Sequence, residues 1–93
     1  MTTRNGGADR ISTKTKLAEQ LKILGDILVR ARSRAGLKQS DVAARLELPP
    51  SYLSKVENGT RRLDVIELIQ IAEAMGSDPG EIVRDVEKAL TQS

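Results

Sequence analysis

The side chains best suited to recognition chemistry gather in one short segment. Pro49 to Arg62 reads PPSYLSKVENGTRR and carries the only tyrosine of a 93-residue chain that has no Phe, Trp, His or Cys. Ser51 and Ser54 offer hydroxyls that donate or accept, Tyr52 a ring and a phenol, and Lys55 a cation able to reach guanine O6 and N7. An Asn-Gly stop follows, and the segment ends in the basic pair Arg61-Arg62. Catalytic chemistry is poorly served by comparison. Without histidine and cysteine the chain lacks the commonest general base, the commonest transition-metal ligand and any disulfide. No paired carboxylate constellation replaces them, so neither an enzyme nor a metal or cofactor site is expected.

Charge points the same way. Residues 1–62 hold 13 Lys/Arg against 6 Asp/Glu, whereas residues 63–93 hold 2 against 7. A basic face for a polyanion, with an acidic end turned away, fits this asymmetry; a helical domain with solvated charges fits it too. No apolar run approaches the roughly 20 residues of a membrane span, and MTTRNGGADR has no signal-peptide centre, so the expected place is the cytoplasm.

The elements that must position these groups read as helices throughout. Residues 1–12 are polar and aperiodic and are expected to form a flexible arm. From Thr13, Leu17, Leu21, Leu24, Leu28, Ala31 and Ala35 recur at helical spacing, and Gly36 stands where a left-handed cap ends the helix. Residues 13–23 form an N-terminal helical extension to a domain spanning 24–90, with 91–93 as a tail. A second helix is predicted over Gln39–Leu46. Pro49 breaks it, Pro50 suits the first position of a third helix that buries Leu53 and Val56, and Asn58-Gly59 stops that helix. Asp64 with Glu67 makes a capping-box start for a fourth helix, and Asp78-Pro79-Gly80-Glu81 starts a fifth. Val65, Ile66, Leu68, Ile69, Ile71 and Ala72 nearly encircle the fourth helix, which predicts a central place in the core. The fifth should bury some of Ile82, Val83, Val86 and Leu90. The fold class is therefore all-α with five helices.

Two short helices joined by a three- or four-residue break, at 39–58, have the geometry of a helix-turn-helix. Residues 24–75 resemble the DNA-binding domain of the lambda repressor, Cro and xenobiotic-response-element type. The resemblance runs through LGDILVRARSRAGLKQSDVAARL, LPPSYLSKVENGTRR and IELIQIAEAMG. It implies that Pro50, Ser51, Tyr52, Ser54 and Lys55 face bases or flanking phosphates. It implies phosphate contacts for Gln39, which also braces the recognition helix, and for Asn58, Arg61 and Arg62. Arg32 and Glu57 match an ion pair that ties the first helix to the third. Two positions depart from the pattern: Lys38 and Pro49 stand where the family often has a capping Ser, Thr or Asn, and Lys38 is read as a further phosphate contact.

The resemblance further implies a homodimer presenting two recognition helices to a near-palindromic double-stranded site. Val83, Val86 and Leu90 are the first candidates for its interface. The N-terminal extension is the second, with Leu17 and Leu21 packing on a partner and Arg4, Arg10, Lys14 and Lys16 trailing on DNA. A transcriptional repressor is the leading expectation, with no small-molecule effector, because little chain follows the fifth helix. An antitoxin that binds a toxin protein and regulates its own operon is one alternative, and a restriction-modification controller is another.

Overall fold

A computed structural model describes the backbone of residues 6–92 and the side chains from Lys16 to Gln92. Among these residues there are five helices and no strand: α1 Gly6–Arg34, α2 Gln39–Leu46, α3 Pro50–Glu57, α4 Val65–Ala74 and α5 Pro79–Gln92. Three junctions close with glycine in the left-handed region, at Gly36 (φ 72°), Gly59 (φ 77°) and Gly76 (φ 71°). Gly36 and Gly59 are the stops expected from the sequence, and Gly76 closes α4 in the same way.

The first helix differs from expectation in length. It starts at Gly6 and continues without a break, so part of the expected arm at 1–12 is helical. With no proline before Pro49, propagation adds a hydrogen bond per residue without paying for a new nucleus. Residues 1–5, with Arg4, lie outside the described residues, as do the side chains of Arg10 and Lys14. No described helix is long and apolar enough to cross a membrane.

Leu28, Leu53, Ile71, Val42 and Val56 are the largest fully buried side chains, one each from α1, α2 and α4 and two from α3. Each such burial is worth about 1.5–3 kcal/mol, and Ile82 brings α5 onto the same core. The helix α4 is not encircled. Leu68, Ile71 and Ala72 are buried, but Val65 and Ile66 remain 64% and 60% exposed, with Ile69 also at the surface. α2 and α5 pack against one side of it, and at ten residues its other side faces solvent.

Both departures from ordinary capping have physical answers. At the start of α2 the Lys38 side chain makes no capping bond. Asp41 reaches back instead, accepting the Lys38 backbone N–H at 2.8 Å, which is one half of a capping box. At the start of α3, Pro49 sits in extended conformation (φ −64°, ψ 148°) with no side-chain cap, and the proline ring fixes φ where a hydrogen bond would otherwise hold it. The turn between α2 and α3 uses Glu47 in the left-handed region, φ 57° and ψ 42°. Its N–H reaches Ala44 O at 3.1 Å and Leu48 N–H reaches Ala43 O at 2.9 Å, the two bonds of a Schellman cap without its usual glycine.

Candidate nucleic-acid interface

The helix α3 separates its residues cleanly. Leu53, Val56 and Glu57 are buried, while Ser51, Lys55 and Asn58 are exposed. Their i, i+4, i+7 spacing sets Ser51, Lys55 and Asn58 in one stripe on the side opposite the core. Pro50 is also exposed at the helix start, and Ser54 and Tyr52 are half-buried along the two flanks. The side chains of Ser51, Lys55 and Asn58 make no hydrogen bond or ion pair with any described residue. A row of short polar groups and one cation is thereby left available to an outside partner.

The buried side of α3 is held by a compact polar network. The Glu57 carboxylate, in a residue only 4% exposed, accepts from Arg32 Nε at 2.7 Å on Oε2 and from Arg32 Nη2 at 3.0 Å on Oε1. Gln39 Nε2 donates to the same Oε1 at 2.7 Å, and Arg32 Nη1 donates to the Leu37 carbonyl at 2.9 Å. A two-pronged arginine–carboxylate pair fixes direction as well as distance. It joins α1, the start of α2 and the end of α3 at one point. Gln39 thus has its amide nitrogen engaged within the protein, next to the exposed Lys38.

Sequence reasoning missed what stands behind this network. Gly25 is buried in α1, and a β-carbon there would lie 2.3 Å from the Glu57 carbonyl oxygen. Only glycine lets the two backbones come so close. The signal was a glycine inside an otherwise periodic helix, where it costs about 1 kcal/mol relative to alanine unless packing requires it. On the loop after α3, a β-carbon at Gly59 would stand 2.9 Å from the Lys22 backbone nitrogen. The Arg61–Arg62 loop therefore leaves directly over α1, and Leu17, Leu21, Arg61 and Arg62 line an open hollow between them.

The two arginines of that loop differ. Arg62 is exposed, and its side chain makes no ion pair among the described residues. Arg61 is engaged: Nη2 donates to Glu67 Oε2 at 2.9 Å and Nη1 to the Arg62 carbonyl at 2.8 Å. Its guanidinium carbon lies 4.5 Å from the centre of the Tyr52 ring, within cation–π range. Burial raises the Tyr52 phenol above its ordinary value, with the Glu67 carboxylate adding to the rise. The Arg61 hydrogen bond, and then the Asp64 backbone N–H, hold the Glu67 carboxyl below the usual carboxylate value. Among the dimer candidates, Val83 is exposed while Val86 and Leu90 are half-buried, and Val86 packs on the core.

Residues 28–82 match the family model described as helix-turn-helix. The chain is 39% identical over 62 residues to the uncharacterized HTH-type transcriptional regulator y4dJ of Sinorhizobium fredii, covering 67% of this chain and 80% of that protein. Its fold is similar to that of an XRE-family like protein from Pseudomonas syringae pv. tomato. The two share 42% identity with a TM-score of 0.74, over 84% of this chain and 95% of the other. It is also similar to the restriction-modification controller protein C.AhdI from Aeromonas hydrophila. There the identity is 31% and the TM-score 0.63, over 67% of this chain and 94% of the other.

Proposed function

The chain belongs to the XRE-like helix-turn-helix transcriptional regulators, and from that premise we propose that it reads a specific double-stranded sequence by laying α3 in the major groove. The observation that carries this is the exposed Ser51–Lys55–Asn58 stripe, which is free of internal partners while the opposite face is locked by Glu57. Lys55 and Ser51 address base edges, with Pro50, Ser54 and Tyr52 at the margins. Lys38, Gln39, Asn58, Arg61 and Arg62 take backbone phosphates, the contacts that set register and supply most of the affinity.

One such surface reads few base pairs, so the protein works as a two-fold dimer on a near-palindromic site, with recognition helices about 34 Å apart. Val83, Val86 and Leu90 of α5 are one surface for the second copy. The exposed Val65, Ile66 and Ile69 of α4 are another. Because α4 starts one short loop after α3 ends, an axis beside its first turn keeps both copies of α3 on one side. Occupying a promoter in this way represses it by exclusion, in the cytoplasm where the DNA is. Selection of bound sequences from random duplexes, followed by sizing of the complex, tests the proposal. The expected result is an inverted repeat bound by two chains; an unenriched pool would contradict it.

The likeness to C.AhdI, a restriction-modification controller protein, supports a more specific reading in which this chain controls such a system. Genes for a methylase and a nuclease beside its own are expected on that reading, and their absence would count against it.

A further inference from the structure

Among the described residues, Arg61 is the one cation of the proposed interface that already has an anionic partner. It lies beside Arg62 and Asn58, on the loop leaving the recognition helix, where a phosphate would approach. Its side chain is still 38% exposed and that of Glu67 27% exposed. Two of the five guanidinium N–H donors are used, by Glu67 Oε2 and the Arg62 carbonyl, which leaves three for an incoming group. The Glu67 carboxylate offers Arg61 a single oxygen, because Oε1 accepts the Asp64 backbone N–H at 3.0 Å. Asp64 Oδ1 in turn accepts the Glu67 N–H at 2.7 Å, so the start of α4 keeps its cap whether or not Arg61 is attached.

We propose that Glu67 occupies the phosphate place on Arg61 in the free protein, and that a DNA backbone phosphate displaces it on binding while the guanidinium stays stacked on Tyr52. The inference rests on the DNA-binding reading above. A half-exposed ion pair held by a single hydrogen bond is weak, whereas a phosphate can take two parallel N–H bonds from the same fork. The exchange is therefore downhill, but smaller than the gain from an unpaired arginine. Glu67 acts here as a positioning residue: it holds Arg61 flat on the ring, ready for the backbone, and moderates affinity for all DNA. In the free protein the Tyr52 phenol, the only tyrosine signal in the chain, reports the arrangement.

The test is a double-mutant cycle on the full chain with Glu67→Gln and Arg61→Ala, using a selected duplex and a random one across a salt series. Glutamine keeps the capping box, and thermal melting confirms that each variant folds. In an otherwise wild-type chain, E67Q should tighten binding to both duplexes severalfold. It should also steepen the log affinity–log salt slope, by up to about 0.9 for one phosphate. With R61A present, E67Q should change neither quantity, and in the free protein E67Q alone should lower the titration of Tyr52. An equal gain with R61A present would show only a general charge effect and overturn the proposal; so would weaker binding by folded E67Q. A wild-type chain with no salt-sensitive DNA binding would instead remove the reading on which the exchange rests.

Discussion

The two ends of α3 are built on opposite principles. Its C-terminal end is fixed from two directions: Glu57 accepts three hydrogen bonds, and Gly25 admits the α1 backbone against the Glu57 carbonyl. Its N-terminal end has a proline in place of a cap and is exposed through Pro50 and Ser51. The buried end decides where the helix points, and the exposed stripe is left free to meet a partner. Substitutions at the first should cost stability and weaken binding to every sequence. Substitutions on the second should leave the fold intact and change which sequence is preferred.

Glu57→Ala tests the fixed end most severely. Removing one partner of a buried ion pair costs on the order of 3–5 kcal/mol, a large share of the 5–15 kcal/mol that holds a small domain. Chemical denaturation should show that loss, together with weakened binding to all duplexes. Gly25→Ala comes next: the added carbon must push α1 and α3 apart, and overpacking of this kind costs about 1–3 kcal/mol. Its melting temperature should fall by several degrees, whereas Ser51→Ala should barely move it.

The turn before α3 gives a smaller effect of opposite sign. Glu47 holds a left-handed conformation that disfavours a side chain by roughly 1–2 kcal/mol. Glycine relieves the strain but adds unfolded-state entropy, so Glu47→Gly should stabilise by about 0.5–1 kcal/mol, read as a higher melting temperature with unchanged sequence preference. The smallest effect lies at Glu67. Because its folded carboxyl titrates below the ordinary value of 4.5, the link to Arg61 contributes fully above that value. The contribution is lost as pH falls through the lower folded value. Melting curves of the wild-type protein and E67Q should accordingly converge in acid.

Much of this was legible in the sequence where the chemistry is local. Pro50, the Asp64–Glu67 pair and the glycines at 36, 59 and 76 mark helix ends through their own backbone preferences, and Leu53 with Val56 marks the inner side of α3. What could not be read depends on neighbours brought in by the fold. Gly25 matters because the Glu57 carbonyl arrives beside it; a glycine inside a periodic helix hints at a close approach but does not say which backbone makes it. Aliphatic residues around α4 suggested complete burial, but composition does not say which side lacks a covering helix, and Val65 and Ile66 are left in solvent. Arg61 read as a free cation because Glu67 lies across a loop and outside helical spacing. Lys38 read as uncapped because attention fell on the cap residue, while Asp41 supplied the bond from inside the helix.

The central claim, that the exposed stripe of α3 reads sequence while the rest positions it, is tested most directly by one comparison of Lys55→Ala with Arg62→Ala. Each is measured on the selected duplex and on random DNA at matched salt. K55A should lose affinity for the selected duplex by about 1–3 kcal/mol with little change on random DNA, whereas R62A should weaken both alike and reduce the salt slope by about 1. Equal losses on both duplexes for K55A would contradict the account and make Lys55 another backbone contact.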